Sequence, residues 1–163
     1  MDISEAETGT MRLKLGTLNL TRLIREMLEL YQYVAENNSI VVLMDCGEDV
    51  CIAADLNRMR QVVANLLDNA IKYNQPGGRV VISARLAGNQ AVISFRDTGI
   101  GIRAEELPNI WDRLYRGDKS RSQPGLGLGL SLVKAIVRAH RGDVEVHSEP
   151  GAGSDFTIRI PAV

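Results

Sequence analysis

The stretch from Asp55 to Tyr73 carries two patterns at once, and any fold of this chain has to satisfy both. Met59, Val63, Leu66, Leu67 and Ala70 recur at helical spacing and share one face. Asn65, Asn69 and Lys72 stand at i, i+4 and i+7, so at about 100° per residue they gather on a second face. Asp55 is placed to cap this helix, and the breaker Gln75-Pro76-Gly77-Gly78 ends it. One side is thus committed to a core while the other presents two amides and an amine. An amide oxygen can ligate Mg2+ while its nitrogen donates to phosphate, and a neighbouring lysine supplies a point charge. The same residues also suit a solvated polar face on which Asp68 and Lys72 form an i, i+4 ion pair.

The surrounding periodicity predicts what the helix packs on. Asn19 can cap an earlier helix whose Leu20, Leu23, Ile24, Met27, Tyr31 and Val34 fall at helical spacing. Strands are expected over residues 40–44 and 50–53, with a further short one over 11–15. Residues 79–86 and 91–97 read as a hairpin turning at Gly88-Asn89. A third helix is expected over 127–140, then strands over 143–148 and 155–160 around Glu149-Pro150-Gly151. Phe156, Ile158 and Ile160 alternate with Thr157 and Arg159, which marks a sheet with one wet face. The architecture implied is an α/β two-layer sandwich, a mixed five-stranded sheet with helices on one face. Between residues 98 and 125 the pattern fails, apart from an apolar helix-like piece over 107–115. A loop this long inside a compact domain usually carries function or moves.

Bulk properties narrow the function classes. A chain of 163 residues with 45% apolar side chains is one domain able to bury a core without metals or disulfides. A formal charge of −1 leaves no electrostatic footprint for nucleic acid or an anionic membrane. Cys46 and Cys51 form no CxxC and have no His nearby in sequence, so they are expected to be reduced core thiols of a cytosolic protein. No apolar run approaches the ~20 residues of a membrane span, and the acidic start is unlike a signal peptide. A soluble piece is expected, whatever a longer parent does.

Two glycine-rich boxes remain. Asp97-Thr98-Gly99-Ile100-Gly101-Ile102 follows a strand, and Gly125-Leu126-Gly127-Leu128-Gly129-Leu130 opens a helix. Free N–H groups at a helix start, with the positive end of its dipole, suit phosphate. A carboxylate at a strand end, in a slot beside glycines, can accept from an exocyclic amine such as that of adenine. Ordinary turns would use the same glycines. Neither G-x-x-x-x-G-K nor G-x-G-x-x-G occurs, so the P-loop and the dinucleotide-binding fold lack their signatures.

Asn65-Leu66-Leu67-Asp68-Asn69-Ala70-Ile71-Lys72-Tyr73 resembles the N box of the catalytic domain of bacterial sensor histidine kinases. The box beginning at Asp97 resembles that family's first glycine box. Ile110-Trp111-Asp112-Arg113-Leu114-Tyr115-Arg116 is similar to its F box, and the box at Gly125 to its second glycine box. All four stand in the family's order, and the likeness runs from about Asn19 to Pro161. The resemblance implies the left-handed βαβ, Bergerat-type ATP-binding fold shared with type II topoisomerases, mismatch-repair ATPases and heat-shock chaperones. It implies a catalytic domain over residues 11–163 with a mobile ATP lid over about 98–126, and a remnant of a phosphotransfer and dimerisation helix, or a linker, over 1–10. Carried across, Asp97 would bind the adenine amine, in a slot shaped by Gly99, Gly101 and Ile102. Asn69 would hold Mg2+, Asn65 would support phosphate or metal, and Lys72 and Tyr73 would line the phosphate and sugar side. Arg116 would steady the terminal phosphate, and the backbone of Gly125, Leu126, Gly127, Leu128, Gly129 and Leu130 would cradle the phosphates. Asn65, Lys72 and Arg116 would be the catalytic set.

Two departures bear on chemistry. The F box holds Trp111 and Leu114 where the family usually has phenylalanine, which alters lid packing while keeping apolar anchors. ATP-hydrolysing relatives place a glutamate four residues before the metal asparagine, and Asn65 stands there instead. Transfer is therefore favoured over hydrolysis. The family's acceptor motif, His-Glu-x-x-x-Pro, is absent, and His140 and His147 are expected to be structural or surface residues. The expected activity is transfer of the ATP γ-phosphate to a histidine on a dimerisation domain outside this chain, and through it to a response regulator. The chain is expected to be monomeric and cytoplasmic, its parent open to an inner-membrane anchor, with no contact to nucleic acid or membrane of its own. The alternatives are a nucleotide-gated binding module and an ATPase or serine-directed kinase of the same superfamily.

Overall fold

A computed structural model describes residues 11–112 and 129–162. The elements run β1 (Gly16–Asn19), α1 (Leu20–Asn37), β2 (Val41–Asp45), β3 (Cys51–Ala54), α2 (Leu56–Lys72), β4 (Arg79–Ala87), β5 (Gln90–Asp97), a 3-10 turn (Leu107–Asn109), α3 (Gly129–Ala139), β6 (Asp143–Glu149) and β7 (Gly153–Pro161). Five strands form the main sheet in the order β2-β4-β5-β7-β6, with β2 parallel to β4 and the other pairs antiparallel. The expected mixed five-stranded sheet is what forms. In addition, β1 and β3 make a separate two-stranded antiparallel sheet, Gly16 opposite Ala54 and Asn19 opposite Cys51.

Alternation decides which face is covered. Val80, Ile82 and Ala84 of β4, Ile93 and Phe95 of β5, and Phe156, Ile158 and Ile160 of β7 are buried and meet across the strands in register. Ser94, Arg96, Asp155 and Arg159 take the opposite face, where Arg96 and Ser94 both bond Asp155. Over the buried face lie the helices, α1 against β2, α2 against β5 and α3 against β6, with α2 between the other two. Their inward residues include Leu23, Ile24 and Met27 of α1, Met59, Val63, Leu66 and Leu67 of α2, and Val133 and Ile136 of α3. Burying such side chains at about 1.5–3 kcal/mol each is the main term that holds sheet and helices together.

Both expected caps form. Asn19 Oδ1 accepts from the Arg22 amide at 3.0 Å, and Asp55 Oδ1 from the Arg58 amide at 3.1 Å. Three expectations need correction. The first strand is Gly16–Asn19, not residues 11–15, because its pairing with β3 selects the register rather than its own apolar content. The apolar piece after residue 106 forms only the 3-10 turn Leu107–Asn109, with Pro108 in its first turn, and residues 113–115 of that expectation lie outside the described part. Cys46 is half-buried and packs against the edge of the core, but Cys51 is exposed and not a core thiol; it points away from the core in the alternation of β3 while Ile52 is buried.

Candidate functional site

The polar face of α2 is turned toward the start of α3. Asn65 Nδ2 donates to the carbonyl oxygen of Gly129 at 3.4 Å, a long bond that sets the N-box amide against the first residue of α3. Asn69, one turn further along, is half-buried on the same side of α2. Lys72 Nζ sits 3.2 Å from Asp68 Oδ2, the intrahelical i, i+4 pair. Tyr73 caps α2, its amide bonded to the Asn69 carbonyl and its own carbonyl accepting from the Ile100 amide, both at 3.0 Å.

Asp97 closes β5. Its Oδ1 accepts from the Gly99 amide at 2.8 Å and the Ser154 amide at 3.2 Å, leaving Oδ2 without a hydrogen-bond donor among the described residues. Burial pushes this carboxyl above the ordinary 3.8, against the pull of those two amides. The glycines beside it are sterically required. A Cβ on Gly99 would stand 2.5 Å from the Tyr73 carbonyl oxygen. Gly101 has φ +73°, and a Cβ there would run into the Glu149 carbonyl. Gly151 donates to the Ile100 carbonyl at 2.7 Å, and the Ile102 amide to Ser148 Oγ at 2.8 Å. The first glycine box is thus fastened to the end of α2 on one side and to the β6–β7 turn on the other.

Ser148 and Ser154 were not singled out from sequence. The signal for Ser154 is the strand pairing: once β5 and β7 are neighbours, Asp97 falls opposite Ser154. Thr98 and Asn74 were also missed; Thr98 Oγ1 accepts from the Arg79 amide at 2.9 Å and Asn74 Nδ2 donates to the Arg79 carbonyl at 3.1 Å, tying the end of α2 to β4.

The beginning of the F box is anchored. Ile110 is buried, and Trp111 meets Phe156 edge-on, ring centroids 5.9 Å apart at 87°. Lys134 of α3 places Nζ 5.4 Å from the Trp111 ring centre. Of the second glycine box, Gly129 and Leu130 form the first turn of α3. Arg116, Gly125, Leu126, Gly127 and Leu128, with the lid over residues 113–126, lie outside the described residues.

Of the two histidines, expected to be structural or surface residues, one is enclosed and one is at the surface. His147 is exposed on β6, while His140 is 7% exposed with both ring nitrogens in hydrogen bonds.

Residues 54–163 match the family described as histidine kinase-, DNA gyrase B-, and HSP90-like ATPase. The chain belongs to this family. Among relatives of this ATPase domain, the sensor-like histidine kinase SenX3 of Mycobacterium tuberculosis is 36% identical over 148 residues, 90% of this chain and 36% of SenX3. The circadian input-output histidine kinase CikA of Synechococcus elongatus is 34% identical, covering 99% of this chain and 22% of CikA. The chain therefore spans little more than a third of the length of these curated relatives, or less. The solved catalytic domain of histidine kinase ThkA superposes with a TM-score of 0.82 at 26% identity, over 92% of this chain and 97% of that one. Full-length ShkA, solved in complex with AMPPNP, gives 0.88 at 26% identity over 99% of this chain and 34% of ShkA. The ATPase domain is accordingly of the kind that forms the catalytic part of sensor histidine kinases, in sequence and in fold.

Proposed function

We propose that this domain binds Mg·ATP and passes the γ-phosphate to a histidine on the dimerisation and phosphotransfer domain of its parent, which would hand it to a response regulator. The observation that carries the reading is the bond between Asn65 and Gly129, which brings the amide face of α2 to the start of α3, where backbone N–H groups and the helix dipole favour phosphate. At the other end of the site, Oδ2 of Asp97, which has no donor among the described residues, is an acceptor suited to an exocyclic amine. ShkA, similar over nearly this whole chain, is solved in complex with AMPPNP, which supports ATP as the ligand here.

The donor set fits magnesium brought in with nucleotide. Among the described residues no three His, Cys, Asp or Glu side chains converge on a point, so these residues offer no carboxylate or imidazole cage. Asn69 would give one amide oxygen, and phosphate and water oxygens the remainder, as this ion prefers. Bound there, the metal neutralises charge on the phosphates. Lys72 would exchange Asp68 for phosphate, Asn65 would orient the chain of phosphates, and Tyr73, Gly101 and Ile102 would bound the nucleoside. Arg116 and the backbone from Gly125 to Leu130 would contact the terminal phosphates. Asn65 stands where hydrolytic relatives carry glutamate, and an amide does not activate water as a carboxylate does.

Among the described residues no helix is long and apolar enough to cross a membrane. Because ATP and response regulators are cytoplasmic, the domain would act in that compartment, as a monomer apart from its dimerisation domain. Mixing the chain with that histidine-bearing domain and γ-labelled ATP tests the reading. Acid-labile phosphohistidine is expected; bound ATP without transfer would mean a binding module, and free phosphate an ATPase.

A further inference from the structure

His140 joins two helices through backbone groups alone. Its Nδ1 lies 2.9 Å from the Ile136 carbonyl oxygen, which only accepts, so Nδ1 carries the hydrogen. Nε2 is then a bare acceptor, and the Asp55 amide donates to it at 3.0 Å. Both ring nitrogens are used, and the neutral Nδ1–H tautomer is set by them. Asp55 is the N-cap of α2 and His140 follows the last residue of α3, so the ring pins the end of one helix to the start of the other. The Asp55 carboxylate in turn takes the Lys14 amide at 2.8 Å, which fastens the peptide entering β1 to the same joint.

A second tie lies at the far end of the seam, between Asn65 and Gly129. From Asp55 to Asn65 and from His140 back to Gly129 are ten and eleven residues, so both helices advance about 15–17 Å between the ties. The seam is pinned at matched lengths. The far tie is long, at 3.4 Å and only partly buried, whereas the His140 tie is shorter and enclosed, Asp55 and His140 being 8% and 7% exposed. Of the two hydrogen-bonded ties, the enclosed one is the less open to competition from water. We propose that His140 is a positioning residue for the nucleotide site, setting the first turn of α3 at the distance from Asn65 and Asn69 that a triphosphate requires. This rests on the reading of α3's first turn as a phosphate contact.

The test uses the whole chain and two variants. His140→Phe keeps a ring in place and removes both hydrogen bonds; His140→Gln offers an amide oxygen and N–H to the same partners. Dissociation constants for Mg·ATP and for AMP are measured at low temperature, with near-UV circular dichroism showing the fold intact. His140→Phe is expected to bind ATP on the order of fivefold more weakly with AMP unchanged, and His140→Gln to recover most of the loss. Equal weakening of ATP and AMP, or no weakening, overturns the proposal, since a general loosening would not separate the two ligands. If His140→Phe does not fold, the wild-type chain decides. There Mg·ATP, and not AMP, should slow hydrogen exchange of the Asp55 amide, and equal exchange overturns the proposal. Wild-type chain that binds no ATP at all would instead sink the functional reading.

Discussion

Lys72 and Asp68 form an ion pair one turn apart on α2, Nζ 3.2 Å from Oδ2, with a quarter of the lysine side chain and nearly half of the aspartate exposed. A pair so wetted contributes about 0.3–0.5 kcal/mol. A triphosphate carries far more charge than one carboxylate, so on the proposed reading Lys72 would exchange Asp68 for phosphate. Lys72→Ala should therefore change thermal stability little while weakening ATP roughly tenfold and AMP hardly at all, read by calorimetric titration. Asp68→Asn should leave ATP binding equal or tighter, most visibly at low ionic strength. An ATP affinity indifferent to Lys72→Ala would remove the lysine from the site.

Asp97 sets a pH dependence of opposite sign to the ordinary one. Burial raises its carboxyl above 3.8, so the folded chain disfavours the ionised form, and this residue subtracts from stability at neutral pH. That penalty is relieved as pH falls through the raised value. On the proposed reading the ionised Asp97 oxygen accepts from the adenine amine, so ATP affinity should decline on acidification while the pH is still above 3.8. Asp97→Asn should melt slightly higher without nucleotide, lose ATP more than a non-adenine triphosphate, and show no such acid limb. Asp55 behaves oppositely: burial raises its carboxyl, but the Lys14 and Arg58 amides and the Arg58 charge hold it below 3.8. Its stabilising contribution is present above the ordinary value and fades as pH drops through the depressed one.

Local signals reached much of this molecule, and long-range ones did not. The caps Asn19 and Asp55, the Gly88-Asn89 hairpin and the two faces of α2 depend on residues within a few positions of each other, and all form. The strand at 16–19 was misplaced because its partner lies in 51–54, and nothing within 11–19 alone marks that pairing. Cys51 looked like core because a short apolar run does not reveal which of its residues face inward. Asn65 and Asp97 stand out from their boxes as candidates, whereas Ser154 and His140 owe their contacts to elements 57 and 85 positions away. A histidine followed by Arg-Gly gives no hint that its ring will bridge two helices.

Gly101 is held where a side chain cannot go. Its φ of +73° costs an L-residue roughly 1–2 kcal/mol, and a Cβ would strike the Glu149 carbonyl. Since Gly151 and Ile102 bond across the same turn, the clash cannot be relieved without breaking those hydrogen bonds. Gly101→Ala should lower stability by about 2–3 kcal/mol, near 5–10 °C in Tm for a chain of this size, measured by calorimetry. The shift moves Asp97's surroundings as well, so ATP affinity should fall beyond what the lost stability explains. A melt within about 1 °C of wild type would contradict the close approach.

Trp111 is the chain's single tryptophan, so its own fluorescence reports the anchor it makes. Edge-on contact with Phe156 is worth about 0.5–1.5 kcal/mol beyond burial, and Lys134 over the ring adds roughly 0.5–1 kcal/mol. Because Phe156 lies opposite Phe95 in the sheet, the anchor fastens the chain following the first glycine box directly to the main core. Trp111→Ala should cost about 2 kcal/mol and lower Tm by about 4–8 °C, whereas Trp111→Phe, which keeps an edge for Phe156 but offers Lys134 a weaker face, should lose less than half of that. Lys134→Met keeps an apolar stem against the ring and removes only the charge, so it should fall between wild type and Trp111→Phe and red-shift the emission little. If alanine at 111 melted like wild type, the Trp111 ring would be resting on the surface rather than holding the segment down.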